Sequence, residues 1–228
     1  LLHFLGKSYQ NLLTVDIFCH GVGSPKYWKK YLDFMQLKYQ SKIVSAKFRD
    51  KTYGYNSANQ TLSFANDKVS CLDHDSDYYW SAFSKCYIFR PSCYNCCFKQ
   101  LKHRTDFTIG DYWNNKGLGS DFAKSNGLTL VLMQSDKSVE FLLKISYLIN
   151  YRYVDLCESL FINGGHMITK LLTSSPVCNQ RESFFRDMDN LDLDSLYKKY
   201  LNVSFLRRLK SLSKPLLYKI GLLSLIKR

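Results

Sequence analysis

Apolar and polar positions alternate along some stretches of this chain and recur at helical steps in others. Asn11 to Phe18 (NLLTVDIF) is apolar and β-branched enough to predict a buried strand. It runs out at Cys19-His20-Gly21-Val22-Gly23, and Ser24-Pro25 then makes a turn that opens a helix near Lys26. Proline suits the first helical turn, and Tyr27, Tyr31, Phe34 and Leu37 follow at helical spacing. Lys42 to Arg49 alternates as a strand, with Ile43, Ser45 and Lys47 opposite Val44, Ala46 and Phe48, and Thr61 to Ala65 is its expected hairpin partner. An acidic loop, Asp73 to Asp77, precedes a short aromatic helix from Tyr78 to Phe83. Phe107 to Gly110 predicts a short strand and Gly127 to Gln134 (GLTLVLMQ) a strong buried one, separated by a Gly- and Asn-rich loop. Val139 to Ile149 reads as helix, Arg152 to Leu156 as a further strand, and the chain after Pro176 as mostly helix. Strands alternating with helices predict an α/β fold, a mixed sheet with flanking helices and a helical C-terminal extension, with α+β as the alternative. The expected division is one domain over 1–156 and a helical extension over 157–228.

Charge changes that picture mainly at the end of the chain. The net charge is +13 over 228 residues, yet Leu196 to Arg228 holds nine Lys or Arg and no acidic residue. Subtracting nine from thirteen leaves about +4 elsewhere, so the main domain does not read as a nucleic-acid platform. Within 203–228, Leu206, Leu209, Leu212, Leu216, Leu217, Ile220 and Leu223 recur at three- and four-residue steps, which predicts an amphipathic helix broken near Pro215. Two uses of that stripe stay open: packing on the parent domain, or lying in an anionic membrane interface. No apolar run reaches the ~18 residues needed to span a bilayer. A cytoplasmic location is expected, with peripheral membrane contact through 203–228 as one of the two uses left open. The first segment, Leu1 to Lys7, reads as the interior of a longer protein whose N-terminal half lies upstream.

Eight cysteines fall at 19, 71, 86, 93, 96, 97, 157 and 178. A disulfide framework belongs to short secreted chains, and this one is long with a well-stocked core. The group Cys93, Cys96, Cys97 instead offers a chelate: two thiolates two residues apart in a tight turn can face one metal or one cluster edge. Lys99, Lys102 and Arg104 add the positive charge that an anionic ligand set requires. One alternative is a zinc-binding adaptor using Cys19, Cys93, Cys96 and His103. Another is a glycosyltransferase, in which Asp73, Asp75 and Asp77 supply a D-x-D metal motif; a solvated turn capping the helix from Tyr78 explains the same residues more simply. Cys19 and His20 are adjacent at a strand end, where side chains point apart, so they do not predict a catalytic dyad. His166, beside Gly164-Gly165, reads as structural.

Four segments carry a wider pattern. Asp16-Ile17-Phe18-Cys19-His20-Gly21-Val22 with Ser24-Pro25 resembles a D-x-x-C-H-G-V-x-S-P signature. Phe48-Arg49-Asp50-Lys51, then Gly54, resembles an F-R-D-K strand end, and Arg90-Pro91-Ser92-Cys93-Tyr94-Asn95-Cys96 an R-P-S-C-Y-x-C cluster loop. Asp106-Phe107-Thr108-Ile109-Gly110-Asp111-Tyr112-Trp113 resembles S-D-I-T-I-G-D-F-W. Together they are similar to the beta subunits of coenzyme F420-reducing hydrogenases and dehydrogenases, a family that includes 7-hydroxymethyl chlorophyll a reductase. The resemblance covers roughly residues 11 to 135 and implies an oxidoreductase with one FAD beside a four-iron, four-sulfur cluster. It implies Cys19, Cys93 and Cys96 as cluster ligands. The family's further ligand, in a G-x-P-C-Q motif, has no counterpart here; Cys97 is the local substitute, but adjacent residues rarely aim their side chains at one point, so it reads as a spare. Arg49, Lys51 and Arg104 are the expected cationic contacts to the cofactor, while Gly110-Asp111 and Thr129 would let backbone approach the flavin ring. The partners implied are a ferredoxin-like domain or protein for electrons and a hydride-exchanging small molecule, with no nucleic acid.

Overall fold

Strands and helices interleave through the chain in the computed structural model, which describes residues 2–7, 9–53, 59–100, 102, 104–112, 122, 127–156 and 178–222. The elements are α1 (Leu2–Leu5), β1 (Val15–Ile17), α2 (Pro25–Tyr39), β2 (Ile43–Asp50), β3 (Asn59–Phe64), β4 (Val69–Asp73), α3 (Tyr78–Ser84) and α4 (Pro91–Tyr94). They continue with β5 (Phe107–Asp111), β6 (Thr129–Met133), α5 (Asp136–Ile145), a 3-10 turn (Ser146–Leu148), α6 (Arg181–Asn190), α7 (Leu193–Leu196), a π-helical turn (Tyr197–Leu201) and α8 (Phe205–Lys219). This is the α/β fold expected, with mixed strand directions and a helical C-terminal part. Among the described residues the strands form two three-stranded sheets. Two compact units result: Leu1–His20 with Cys96–Ser174, called unit 1, and Gly21–Asn95 with Ser175–Arg228, called unit 2.

Unit 2 is built on the antiparallel order β2-β3-β4, with β3 in the middle and buried along most of its length. Asp67, at φ +62°, turns β3 back into β4. The stretch from Val69 to Asp73, whose Ser70, Cys71 and Asp73 carry little strand propensity, pairs with β3 from Ser63↔Val69 to Asn59↔Asp73. Pairing along a buried neighbour supplies what the local propensity lacks. Helix α2 starts as its sequence predicts. The Ser24 hydroxyl accepts the Tyr27 amide, Pro25 occupies the first turn, and Gln40 closes the helix in the left-handed region at φ +51°. Tyr27, Tyr31 and Met35, four residues apart, face a core shared with Leu62, Phe64, Tyr78, Tyr79, Phe184, Met188, Leu193 and Leu196. Each such side chain contributes about 1.5–3 kcal/mol by leaving water.

Unit 1 carries the mixed sheet β1-β5-β6, in which β1 runs parallel and β6 antiparallel to β5. Only β5 is central. Both flanking strands had read as buried, but Val15, Ile17 and Val131 are exposed because β1 and β6 lie at the sheet's edges. Asp106 locks the start of this sheet. Its carboxylate accepts the Thr14 amide and hydroxyl and the Ser135 hydroxyl, each at 2.8 Å. Burial pushes that carboxyl up, but the three donors and the nearby Lys137 outweigh it and hold it below its ordinary value. Ser135 also opens α5 through a reciprocal cap with Ser138.

Two further expectations are corrected. Arg152 to Leu156 is not a strand, having no sheet edge paired to it despite its Tyr and Val content. Helix α8 runs unbroken through Pro215, because contacts on both sides of the proline pin the turn: Ser211 and Lys214 hold Asp73, and Tyr218 meets Tyr53 edge-on at 5.2 Å. Gly54, Trp113, most of the loop 114–126, His103, Cys157, Gly164, Gly165, His166 and 223–228 lie outside the described residues.

Candidate functional site

Of the four signature segments, two lie at the ends of β1 and β2 and in the turns after them, one forms α4 and one runs along β5. In unit 2 the glycine-containing turn after the first segment and the cysteine loop are joined by backbone. The Ser24 amide donates to the Ile88 carbonyl at 2.7 Å, the Arg90 amide donates to the Val22 carbonyl at 2.9 Å, and Gly23 bridges Phe89. Gly21 is needed there, since a Cβ would lie 2.7 Å from the Phe89 ring. Cys93 sits in α4 at 8% exposure, and its Sγ accepts the Val22 amide at 3.3 Å. Pro91 opens that short helix, so the sequence itself forces the turn that buries Cys93. In unit 1 the same two stretches are joined again, by the Lys99 ammonium donating to the His20 carbonyl at 3.0 Å. Cys19 is exposed and Cys96 half-buried, both in unit 1, while Cys97 is exposed. Cys19, Cys93, Cys96 and Cys97 carry no disulfide. Among the described residues, no three His, Cys, Asp or Glu side chains are gathered for a bare metal ion. Of the expected ligands, Cys93 has its sulfur held by a backbone amide.

The remaining candidates divide between the units. Arg49 and Lys51 belong to unit 2, at the end of β2, where the register slips between Lys47 and Asp50. Arg49 sits there at φ +55°, a region that favours glycine. An arginine kept in that conformation stores backbone strain of about 1–3 kcal/mol, and such strain gathers at functional sites. Asp50 beside it accepts the Thr52 amide at 2.8 Å and the Thr52 hydroxyl at 2.5 Å. Arg104, Gly110, Asp111 and Thr129 belong to unit 1, and the sheet brings three of them together. Gly110 pairs with Leu130 and Asp111 with Thr129 across β5 and β6. On one side of Gly110 the space that a Cβ would fill is taken by Phe18, whose Cδ2 would stand 2.6 Å away. Glycine thus lets the segment before Cys19 pack down on the central strand.

Sequence reasoning missed a cavity of 820 Å³ in unit 1, which runs along β6 from Thr129 to Gln134. Its far wall is the 149–156 stretch, with Tyr151 and Tyr153 crossing edge to face at 5.6 Å and Arg152 between them in sequence. Lys102 and Tyr112 complete one end. The walls are mainly apolar and aromatic, with cationic groups from Lys102 and Arg152, as a planar ligand bearing an anion would need. The signal available was the tyrosine-rich run from Tyr147 to Tyr153, read instead as helix end and strand.

The acidic run is committed elsewhere. Asp77 caps α3, and Asp73 is paired to Lys214, so one carboxylate of each of the two overlapping D-x-D spacings is engaged by protein groups. That leaves the glycosyltransferase alternative without its metal site.

Comparison with known families gives a match that covers most of the chain. No curated protein and no solved structure matches it. Residues 5–150 match the family described as the C terminus of the coenzyme F420 hydrogenase/dehydrogenase beta subunit. That span contains all four signatures, β1 to β6 and α5, and on it the chain belongs to the coenzyme F420 hydrogenase/dehydrogenase beta-subunit family.

Proposed function

We propose that this oxidoreductase of the F420 hydrogenase/dehydrogenase type passes electrons between a 4Fe-4S cluster, an FAD and a hydride-exchanging small molecule such as coenzyme F420. The observation that carries the reading is Cys93: buried in the R-P-S-C turn, with its sulfur accepting the Val22 amide of the C-H-G-V segment. Cys19 and Cys96 are assigned as fellow ligands on their motif positions, and Cys97 is left as a spare thiol. When bound, the flavin would supply two-electron hydride exchange with substrate and one-electron exchange with the cluster. The chain's own residues bind and orient. The Tyr112, Tyr151 and Tyr153 rings give an apolar berth for a planar ring, and Lys102 and Arg152 give counter-charge for its anionic groups. Arg49, Lys51 and Arg104 are proposed as phosphate contacts, with Gly110, Asp111 and Thr129 beside the ring. A ferredoxin-like domain or protein is the proposed electron partner.

The test is the complete gene product purified anaerobically and assayed for iron, acid-labile sulfide, zinc and FAD. Cys93→Ser and Cys96→Ser should each remove the iron, the sulfide and the visible charge-transfer absorbance of the cluster, while Cys97→Ser leaves them in place. Unchanged iron and sulfide in the first two variants would refute the ligand assignment. Zinc in place of iron would favour the zinc-adaptor reading.

A further inference from the structure

Helix α8 is attached to unit 2 by the face that a surface helix ordinarily turns to water. Ser211 is buried, its hydroxyl donating to Asp73 and accepting from Ser76 at 2.6 Å. Lys214, one turn on, pairs with the same buried carboxylate, and Tyr218, one further turn on, packs against Tyr53. Burial pushes the Asp73 carboxyl up, but the hydrogen bonds from Lys214 and Ser211 outweigh it and keep it below its ordinary value. The apolar stripe points elsewhere. Phe205, Leu209, Leu212 and Leu216, at steps of four, three and four, are 77%, 53%, 52% and 63% exposed. At 1.5 Å per residue the stripe extends about 16 Å along the helix.

We infer that this stripe is a docking surface for an anionic lipid bilayer, on which α8 lies parallel to the membrane plane. The charge around it identifies the occupant. Lys219 flanks the stripe and Lys210 is exposed on the same helix, and no acidic residue occurs after Asp194. A second copy placed stripe to stripe would bring these cations against their own kind, whereas an anionic headgroup layer complements them. A helix with leucines on one side and only cations among its charges is the form that settles at a headgroup–acyl boundary. Among the described residues no helix is long and apolar enough to cross a membrane, so the contact is peripheral. The inference is independent of cluster and flavin chemistry.

The experiment is vesicle co-sedimentation of the full chain, comparing phosphatidylcholine alone with phosphatidylcholine containing about 30 mol% phosphatidylglycerol, at low and high salt. The wild type should bind the anionic vesicles at low salt at least tenfold more tightly than the neutral ones, and lose that binding at high salt. Leu209→Gln/Leu216→Gln, both at exposed positions, should keep its circular dichroism and urea midpoint but lose binding at least tenfold. Lys210→Gln/Lys219→Gln should weaken binding about 25-fold, at roughly fivefold per cation removed. Equal binding to both vesicle types, or none to anionic vesicles at low salt, would overturn the inference. So would a concentration-dependent dimer that the leucine variant abolishes while vesicle binding is absent, which would make a second copy the occupant.

Discussion

Asp77 sits where burial and helix capping pull against each other, and the balance is measurable. Its side chain is enclosed in the core of unit 2, with the Trp80 amide donating to Oδ1 at 2.7 Å and the Tyr31 hydroxyl to Oδ2 at 2.6 Å. Burial pushes the carboxyl up to about 7 from an ordinary 3.8; the Tyr31 hydroxyl and the Trp80 and Tyr79 amides oppose it without cancelling it, and the Asp73 charge adds to the rise. The folded chain therefore holds a proton that the unfolded chain has already released between those two values. Stability must fall as pH rises through that window and level off above it. The full window amounts to about 4 kcal/mol at 1.36 kcal/mol per pH unit, of which about 2–3 kcal/mol is lost between pH 5 and pH 8. Asp77→Asn keeps an acceptor for the Trp80 amide and is an equally good N-cap, but cannot ionise. Urea denaturation followed by tryptophan fluorescence at pH 5, 6, 7 and 8 should show the variant gaining about 2–3 kcal/mol on the wild type across the series. Asp73 and Asp106, both held below the ordinary value, act in the other direction: their stabilisation is present above the ordinary carboxylate range and is lost as pH falls below it. They are common to both proteins and drop out of the comparison. Parallel stability curves for wild type and variant would refute the reasoning.

Two other substitutions follow from the same kind of argument. Lys214→Met leaves Asp73 buried without its counter-charge and should cost on the order of 3 kcal/mol in a urea melt at pH 7, a loss that shrinks below pH 4 as the carboxylate protonates. Gly110→Ala drives a Cβ into the Phe18 ring and should cost about 1–3 kcal/mol by the same assay.

The elements that local chemistry dictates were legible in the sequence. Ser24-Pro25 announced α2, Asp77 announced α3, and the alternation from Lys42 announced β2 with its partner β3. The four motifs placed the family and the cysteine turn. What escaped is set by partners far along the chain. Strand β4 exists because β3 has a buried edge to fill, and nothing in Lys68-Val69-Ser70-Cys71-Leu72 reports that edge. The pattern 206–223 showed an apolar stripe but not which way it faces, since that is decided by Asp73, more than a hundred residues earlier. The cavity along β6 was hidden for a related reason. A tyrosine-rich segment that packs beside a strand without pairing to it carries the same composition as a strand.

The way the two units share the chain also governs how it is made. Thr14 finds Asp106 across 92 residues, and the core around Tyr27 and Tyr31 is completed by Phe184 and Met188. During synthesis, β1 emerges with nothing to pair to until β5 follows it, and α2 waits for α6 with two tyrosines and a methionine only partly covered. Contacts so distant in sequence impose a large loop-closure cost before any of them is repaid, which slows folding and prolongs exposure of apolar surface. At ~5–20 residues per second of translation, the wait from α2 to α6 lasts many seconds. Unit 2 cannot finish until the second segment of unit 1 has been made, so a holding chaperone on the nascent chain would act chiefly on the aromatic face of α2.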